Sequence, residues 1–437
     1  MIFSLTAMVR MVSLSSMASA TDFDQADVYC VGGAVRDRLL GLAVHDRDYV
    51  VIGATPAQML AWGFTQVGND FPVFLHPVSH EEYALARTER KQGQGYKGFV
   101  FSTENVTLEE DLKRRDLTIN AIAEDKQGHV IDPYHGQIDL NRRILRHVSA
   151  AFREDPVRLL RVARFAARFE PLGFTVAKET IQLMQQMVDD GEAANLVPER
   201  VTTELFKALD SKAPQVFFNT LRACGALKVI FPEIDALFGV PQCPEYHPEV
   251  DTGVHVMMAL ADAAKRNASR FSRYAVLCHD LGKATTPKAI LPAHHGHEMR
   301  GIAIANTMSK RLKLPKSYRE IGAKSAQYHT HIHNIAKLKA STTVELLKAF
   351  GVSKDLTLFS QFVDSCIADS RGRIGFENSD YPQAQWALKM AYAFQQFDAK
   401  PFIKNGMTSE HIKSIIKAEH IRLLNSIRTS LKLNTTE

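Results

Sequence analysis

The sequence predicts an α+β protein, a β-rich head followed by a long all-α body. Between residues 27 and 150, the short runs VYCV, YVVIG, VFLH, EEYALAR and HVIDPY are separated by Gly, Pro and Asn, the pattern of short strands. From about residue 151 the period changes. RLLRVARFAARF, TIQLMQQMV and RVTTELFKAL repeat apolar residues at three-to-four spacing, as helices do. The helical pattern then persists, without an internal repeat, so one sheet-bearing head precedes a helical body.

Within that class the chain divides further. Residues 27–150 form the head and 151–247 a helical neck and body. A polar, proline-bearing linker, PEYHPEVD at 244–251, leads into a histidine-rich helical segment, 252–375, and a basic helical tail, 376–437. Residues 1–26, Ser- and Met-rich and closing on ASA, read as a disordered extension or the product of an upstream start codon. A signal peptide is the weaker reading, because Arg10 sits inside the apolar part rather than before it.

Composition narrows the class of protein. At 437 residues with 45% hydrophobic and 23% charged side chains, the chain can build more than one core. A net charge of +5 is too small to mark a nucleic-acid binder, so the distribution of charge matters more. Cysteines at 30, 224, 243, 278 and 366 form no CxxC pair. Neither a zinc ribbon nor a disulfide framework is suggested, and reduced thiols in the cytoplasm are the simplest reading. No run approaches the ~18 apolar residues of a membrane span.

The first site candidate lies in VYCVGGAVRDRLLGLAVHDRDYVVI, residues 28–52. A strand, Gly32-Gly33 and then a helix make a phosphate cradle. Glycine admits close backbone approach, and the helix start offers N–H groups and a positive dipole end. Gly33 and Arg36 are the residues that would meet the phosphates. Asp46 and Asp48, at i and i+2, point to one face of a strand start. Two adjacent carboxylates repel unless a cation lies between them, and Mg²⁺ suits such a pair because substrate phosphates and water complete its shell. Glu82 is a candidate third carboxylate. The glycine-bearing loop KQGQGYKG, 91–98, with Lys91 and Lys97, reads as either a mobile loop near substrate phosphates or an ordinary hairpin loop.

Two further segments carry chemistry. In EDPVRLLRVARFAARF, 154–169, Asp155 and Pro156 form a helix start. Arg158, Arg161, Arg164 and Arg168 recur on one face, where like charges destabilise unless an anion lies against them. The segment 252–375 brings His255, the pair His279-Asp280, and the clusters HHGHE (His294, His295, His297) and YHTHIH (His329, His331, His333).

Taken together, GGAVRDRLLG with DRDYVV, RRDLTINAIA at 114–123 and EDPVRLLRVARFAARF resemble the bacterial tRNA nucleotidyltransferases, the CCA-adding enzymes of the type that carries an HD domain. The resemblance covers nearly the whole chain from about residue 27. It implies a polymerase-beta-like head, an all-α neck and body, an α-helical HD domain and a helical tail. It implies addition of C, C and A to the tRNA 3′ end from CTP and ATP, without a nucleic-acid template and with release of pyrophosphate. Asp46 and Asp48 are the implied magnesium ligands. Arg115, Arg161 and Arg164 fall on nucleotide-binding positions, and Asp155 with Arg158 on the protein template that reads the base edge. A carboxylate and a guanidinium together offer the acceptors and donors that C and A both match.

The His255, His279 and Asp280 pattern resembles the HD phosphohydrolase signature, with Asp369 a candidate fourth ligand. It implies a transition metal such as nickel, cobalt or manganese, and hydrolysis of phosphomonoesters or 2′,3′-cyclic nucleotides, including 2′-nucleotidase activity. The expected partners are tRNA, CTP and ATP, with no membrane, for a cytoplasmic monomer or homodimer. Three rival readings are a poly(A) polymerase, an RNA-binding protein with an inactive head, and a phosphohydrolase with a vestigial head.

Overall fold

The computed structural model describes residues 23–67, 73–91, 99–404 and 406–433. Residues 1–22, most of the proposed N-terminal extension, and 92–98 of the KQGQGYKG loop lie outside the described residues. The chain divides into two compact units between Leu196 and Val197. The division falls within the helical stretch that follows the head rather than at its start.

The first unit is built on a seven-stranded mixed sheet. Its strands are β1 (Asp27–Val31), β2 (Asp48–Ile52), β3 (Thr65–Val67), β4 (Val73–Leu75), β5 (Glu82–Leu85), β8 (Ala123–Glu124) and β9 (Val130–Ile131), in the order β3-β4-β5-β2-β1-β8-β9. A separate hairpin, β6 (Thr88–Lys91) with β7 (Phe99–Ser102), flanks the glycine-bearing loop. Strand alternation sorts the apolar residues to two faces. Val28, Val51, Phe64, Phe74, Tyr83 and Leu85 pack on one side, and Val31, Val50, Leu112, Ala121 and Ala123 on the other.

Two registers place the polar residues. In the antiparallel pair β1–β2, Val31 lies opposite Asp48, and in the parallel pair β2–β5, Asp48 lies opposite Glu82. Asp48 and Glu82 therefore share a face, next to the turn that follows Val31. That turn leads into α1 (Gly33–Leu39) through Gly32, whose φ of 70° favours glycine; the Arg115 guanidinium lies close by, 3.0 Å from where a Cβ would sit.

Of RRDLTINAIA only the last residue, Ala123, lies in a strand. Residues Thr118–Asn120 form a 3₁₀ turn before β8. The cause is local: Asp116 Oδ1 accepts from the Leu117 N–H and from Asn120 Nδ2, each at 2.8 Å, which folds the segment back. The principal helix of this unit, α5 (Val157–Phe169), follows α2 (Pro56–Ala61), α3 (Leu108–Lys113) and α4 (Gly136–Arg142). It is buried along nearly its whole length; only Arg161 and Arg168 reach solvent.

The second unit is helical throughout its described residues. The helices that matter for its site are α11 (Thr252–Lys265), α12 (Arg270–Cys278), α13 (His297–Arg311), α14 (Lys316–His333) and α16 (Thr357–Arg371). They come after the short helices α6 (Lys178–Asp189) to α10 (Pro232–Asp235), with α15 (Ala340–Ala349) lying between α14 and α16. An apolar core of Val344, Leu347, Phe350, Phe359, Phe362 and Met390 supports them, closed by α17 (Pro382–Gln395) and α18 (Ser409–Leu433). Among the described residues no helix is long and apolar enough to cross a membrane.

Candidate active sites

The carboxylates of the head gather at the start of β2. Asp46 stands in the loop before the strand and Asp48 is its first residue; both are exposed, as is Glu82 beside Asp48. The Asp48 carboxyl is raised above its usual range. Desolvation is the largest cause and the charge of Asp46 adds to it, while Arg115 pulls the other way. A carboxylate raised in this way, beside a second carboxylate, suits a cation.

Around them runs a web of arginines and carboxylates from three distant segments. Arg36, buried in α1, gives Nε to Asp37 Oδ1 at 2.8 Å and a short hydrogen bond to Asn120 Oδ1. Asn120 in turn binds Asp116, and Asp116 Oδ2 accepts from Arg161 Nε at 2.7 Å. Arg168 Nη2 reaches Asp37 Oδ2 at 2.7 Å. Two of the arginines on α5, Arg161 and Arg168, therefore meet fixed protein anions. Burial alone would raise the Asp116 carboxyl, but Arg161 and the Asn120 amide hold it well below the usual carboxylate range.

Arg158 and Arg164 are buried, and the Arg164 guanidinium lies 4.2 Å from the centre of the Phe165 ring. Arg158 donates to the carbonyl oxygens of Ala151, at 2.8 Å, and Arg114. Asp155 Oδ1 accepts from the Val157 N–H at 3.0 Å, so its capping role is real. Arg115 donates to Asp111 Oδ2 at 3.1 Å and packs against Gly32. Gly33 opens α1 beside Arg36.

In the helical unit, His255 from α11, the His279-Asp280 pair at the end of α12 and Asp369 from α16 converge, all buried. His255 Nε2 is 3.1 Å and His279 Nε2 3.7 Å from Asp369 Oδ1, and His279 Nε2 is 3.1 Å from Asp280 Oδ2. Among the described residues, three clusters offer ligand atoms within reach of one ion, and all three lie in this unit: His255, His279 and Asp369; Asp280, His297 and His329; His247, Glu249 and His255. Burial opposes a charge on His255, yet Asp369 and Glu249 raise it to about 9. Asp369 and Asp280 are held well below the carboxylate range by the neighbouring cations, against their burial. Buried donors of opposite character crowded around one point fit a transition-metal ion.

Residues 28–146 match the poly A polymerase head domain family, and 173–238 the family described as the probable RNA and SrmB-binding site of polymerase A. The multifunctional CCA protein of Thioalkalivibrio sulfidiphilus is 53% identical over 402 residues, 92% of this chain and 98% of that protein. The chain belongs to the multifunctional CCA protein family. Solved structures share the fold of this CCA-family chain. The Bacillus stearothermophilus CCA-adding enzyme in complex with CTP aligns with TM-score 0.60 and 24% identity, over 96% of this chain and 98% of that one. The Thermotoga maritima CCA-adding enzyme complexed with tRNA aligns with TM-score 0.55 and 19% identity, over 97% and 96%.

Several residues of the CCA-family sites escaped the sequence reading. Asp37, Asp116 and Asn120 join the web that orders the arginines. Glu249, in a segment read as a linker, sits 3.0 Å from His255 Nδ1. His333 Nε2 lies 2.8 Å from Asp369 Oδ2, with the Tyr381 hydroxyl 2.7 Å from its Nδ1. The histidine clusters signalled His333, but nothing local marked Glu249 or Tyr381.

Proposed function

We propose that this chain adds and repairs the 3′-terminal CCA of tRNA, using CTP and ATP and releasing pyrophosphate, in the cytoplasm. One observation carries the reading to the chain's own residues. The register Val31–Asp48–Glu82 sets two carboxylates beside the glycine turn, with Asp46 adjoining. Asp46 and Asp48 would hold magnesium, with Glu82 beside them. That ion would supply charge stabilisation for the attacking 3′-oxygen and the departing pyrophosphate. Gly33 and Arg36 line the phosphate side, and Arg115, Arg161 and Arg164 orient the nucleotide. Asp155 and Arg158 read the base edge, and the two backbone carbonyls gripping Arg158 keep its direction fixed. The helical parts meet tRNA through backbone charge and shape.

The helical unit supports a second activity, metal-dependent hydrolysis of phosphomonoesters or cyclic nucleotides. His255, His279, Asp280 and Asp369 would hold a transition metal such as nickel, which activates water when bound. The domain plan behind both activities is a head over 27–150, a template-bearing neck and body over 151–247, an HD domain over 252–375 and a tail over 376–437.

The test is incorporation of labelled CMP and AMP into tRNA lacking its CCA end. Wild type extends the RNA, and Asp46→Ala and Asp48→Ala each bind tRNA but lose at least ~10³-fold in rate. Full activity in either variant overturns the assignment. Poly(A) synthesis without CMP incorporation would favour a polymerase instead.

A further inference from the structure

We infer that Asn120 is a specificity-determining positioning residue. Its amide joins Arg36, on the phosphate side of the proposed nucleotide site, to Arg161, which orients the nucleotide, so that the fit of the base governs how the phosphates are held. The inference rests on the nucleotidyl-transfer reading of the first unit and deepens it.

The connection runs through two side chains. Arg36 Nη1 makes its short hydrogen bond to Asn120 Oδ1, and Asn120 Nδ2 donates to Asp116 Oδ1 at 2.8 Å. The other oxygen of that carboxylate, Oδ2, accepts from Arg161 Nε at 2.7 Å. Chemistry fixes the direction of the amide. A guanidinium only donates and a carboxylate only accepts, so the amide oxygen must face Arg36 and its nitrogen Asp116. Aspartate at this position would set two carboxylates against each other, and leucine would leave Arg36 and Asp116 each with one partner fewer. Asn120 and Asp116 are both buried, where water screens such links least.

Arg36 has little freedom of its own. Asp37 Oδ1 accepts from its Nε at 2.8 Å, and the ring centres of Phe165 and Phe169 lie 5.2 and 5.0 Å from its guanidinium carbon. Its Nη2 lies 3.5 Å from the point that a Cβ on Gly33 would occupy, beside the glycine turn. The Thr118–Asn120 turn abuts the same cradle. The Gly32 N–H donates to the Ile122 carbonyl oxygen at 3.1 Å, and the Asn120 carbonyl oxygen lies 3.6 Å from where a Cβ on Gly32 would sit. Arg161 is the partly exposed end of the relay. A nucleotide whose base is misplaced draws Arg161 aside, loosens Asp116 and frees the Asn120 amide. Arg36 then loses the acceptor that sets its angle to the phosphates. A nucleotide that fits keeps every member in line, so contacts remote from the reacting phosphorus align it for attack.

The experiment measures CMP and UMP incorporation into tRNA lacking its CCA end, using the full chain as wild type, Asn120→Ala and Asn120→Asp. We expect Asn120→Ala to lower kcat for CTP about 10- to 100-fold with KM within about threefold, and to cut the preference for CTP over UTP about 10-fold. Asn120→Asp keeps an acceptor for Arg36 but breaks the link to Asp116, so its preference should fall as far. Should these variants fail to fold, a cycle that leaves Asn120 in place decides: Arg36→Lys, Arg161→Lys and the two combined. Coupled through the amide, the double variant should lose about tenfold less than the product of the two single losses. Losses that simply multiply, or an unchanged preference in folded Asn120→Ala, overturn the positioning role and leave the nucleotidyl-transfer reading intact. Wild-type protein that incorporates no CMP overturns both.

Discussion

The guanidinium of Arg158 is held by two main-chain carbonyls, and in the proposed template role a buried fork so fixed would offer one direction to a base. Lysine would keep the charge and lose the planar geometry. Arg158→Lys should therefore lower kcat/KM for CTP and ATP by about 10- to 100-fold, or roughly 1.4–2.7 kcal/mol of transition-state binding. It should also raise incorporation of UMP relative to CMP, read by competition between labelled nucleotides. A uniform loss with unchanged base preference would mean that Arg158 only holds the neck in place. Glycine offers a second test. Alanine at Gly282 would meet backbone rather than a yielding side chain. Gly282→Ala should cost several kcal/mol, about 3 or more, seen as a lowered Tm of the helical unit and loss of its bound metal.

At the scale of elements, α5 depends on carboxylates that come from α1 and from the turn at Thr118–Asn120. Asp116→Asn removes the carboxylate that meets Arg161 at 2.7 Å and should destabilise the first unit by about 2–3 kcal/mol at pH 7, tempered by the partial exposure of Arg161. The pH dependence follows from the depressed carboxyl of Asp116. Its contribution is fully present above the unfolded value of about 3.9 and is lost as pH falls through the folded value. The gap in Tm between wild type and variant should stay level from about pH 8 to 5 and close on further acidification. A gap that widens in acid would contradict the ion-pair account.

This is also where sequence reading reached its limit. The glycine turn, the β2 carboxylates and the α5 arginines were legible because each is a local pattern, and the strands around Val28, Val50, Phe74 and Ala84 fell where the runs VYCV, YVVIG, VFLH and EEYALAR placed them. The counter-charges were not legible. Asp37 pairs with Arg168 across 131 residues and Asp116 with Arg161 across 45, and no short window contains both partners. For the same reason Glu249 read as linker.

The whole molecule joins a unit carrying the proposed nucleotide-adding site to a helical unit carrying the candidate metal ligands, each with its own core. His279→Ala should therefore abolish phosphoester hydrolysis while CMP incorporation stays within about twofold of wild type. Chelation of the transition metal, followed by resupply of magnesium alone, should give the same separation in assays of both activities on one preparation. Joint loss of both would show that the units are energetically coupled. The arginine web has a temporal consequence during synthesis. A ribosome delivers the last strand of the sheet, at Ile131, well before Arg161 and Arg168 emerge. Until then Asp116 lacks its guanidinium and Asp37 lacks one of its two, so the nascent head waits, half-neutralised, for a helix still inside the exit tunnel. A recombinant piece ending at residue 150 would freeze that immature stage, and one ending at Leu196 would carry the missing cations.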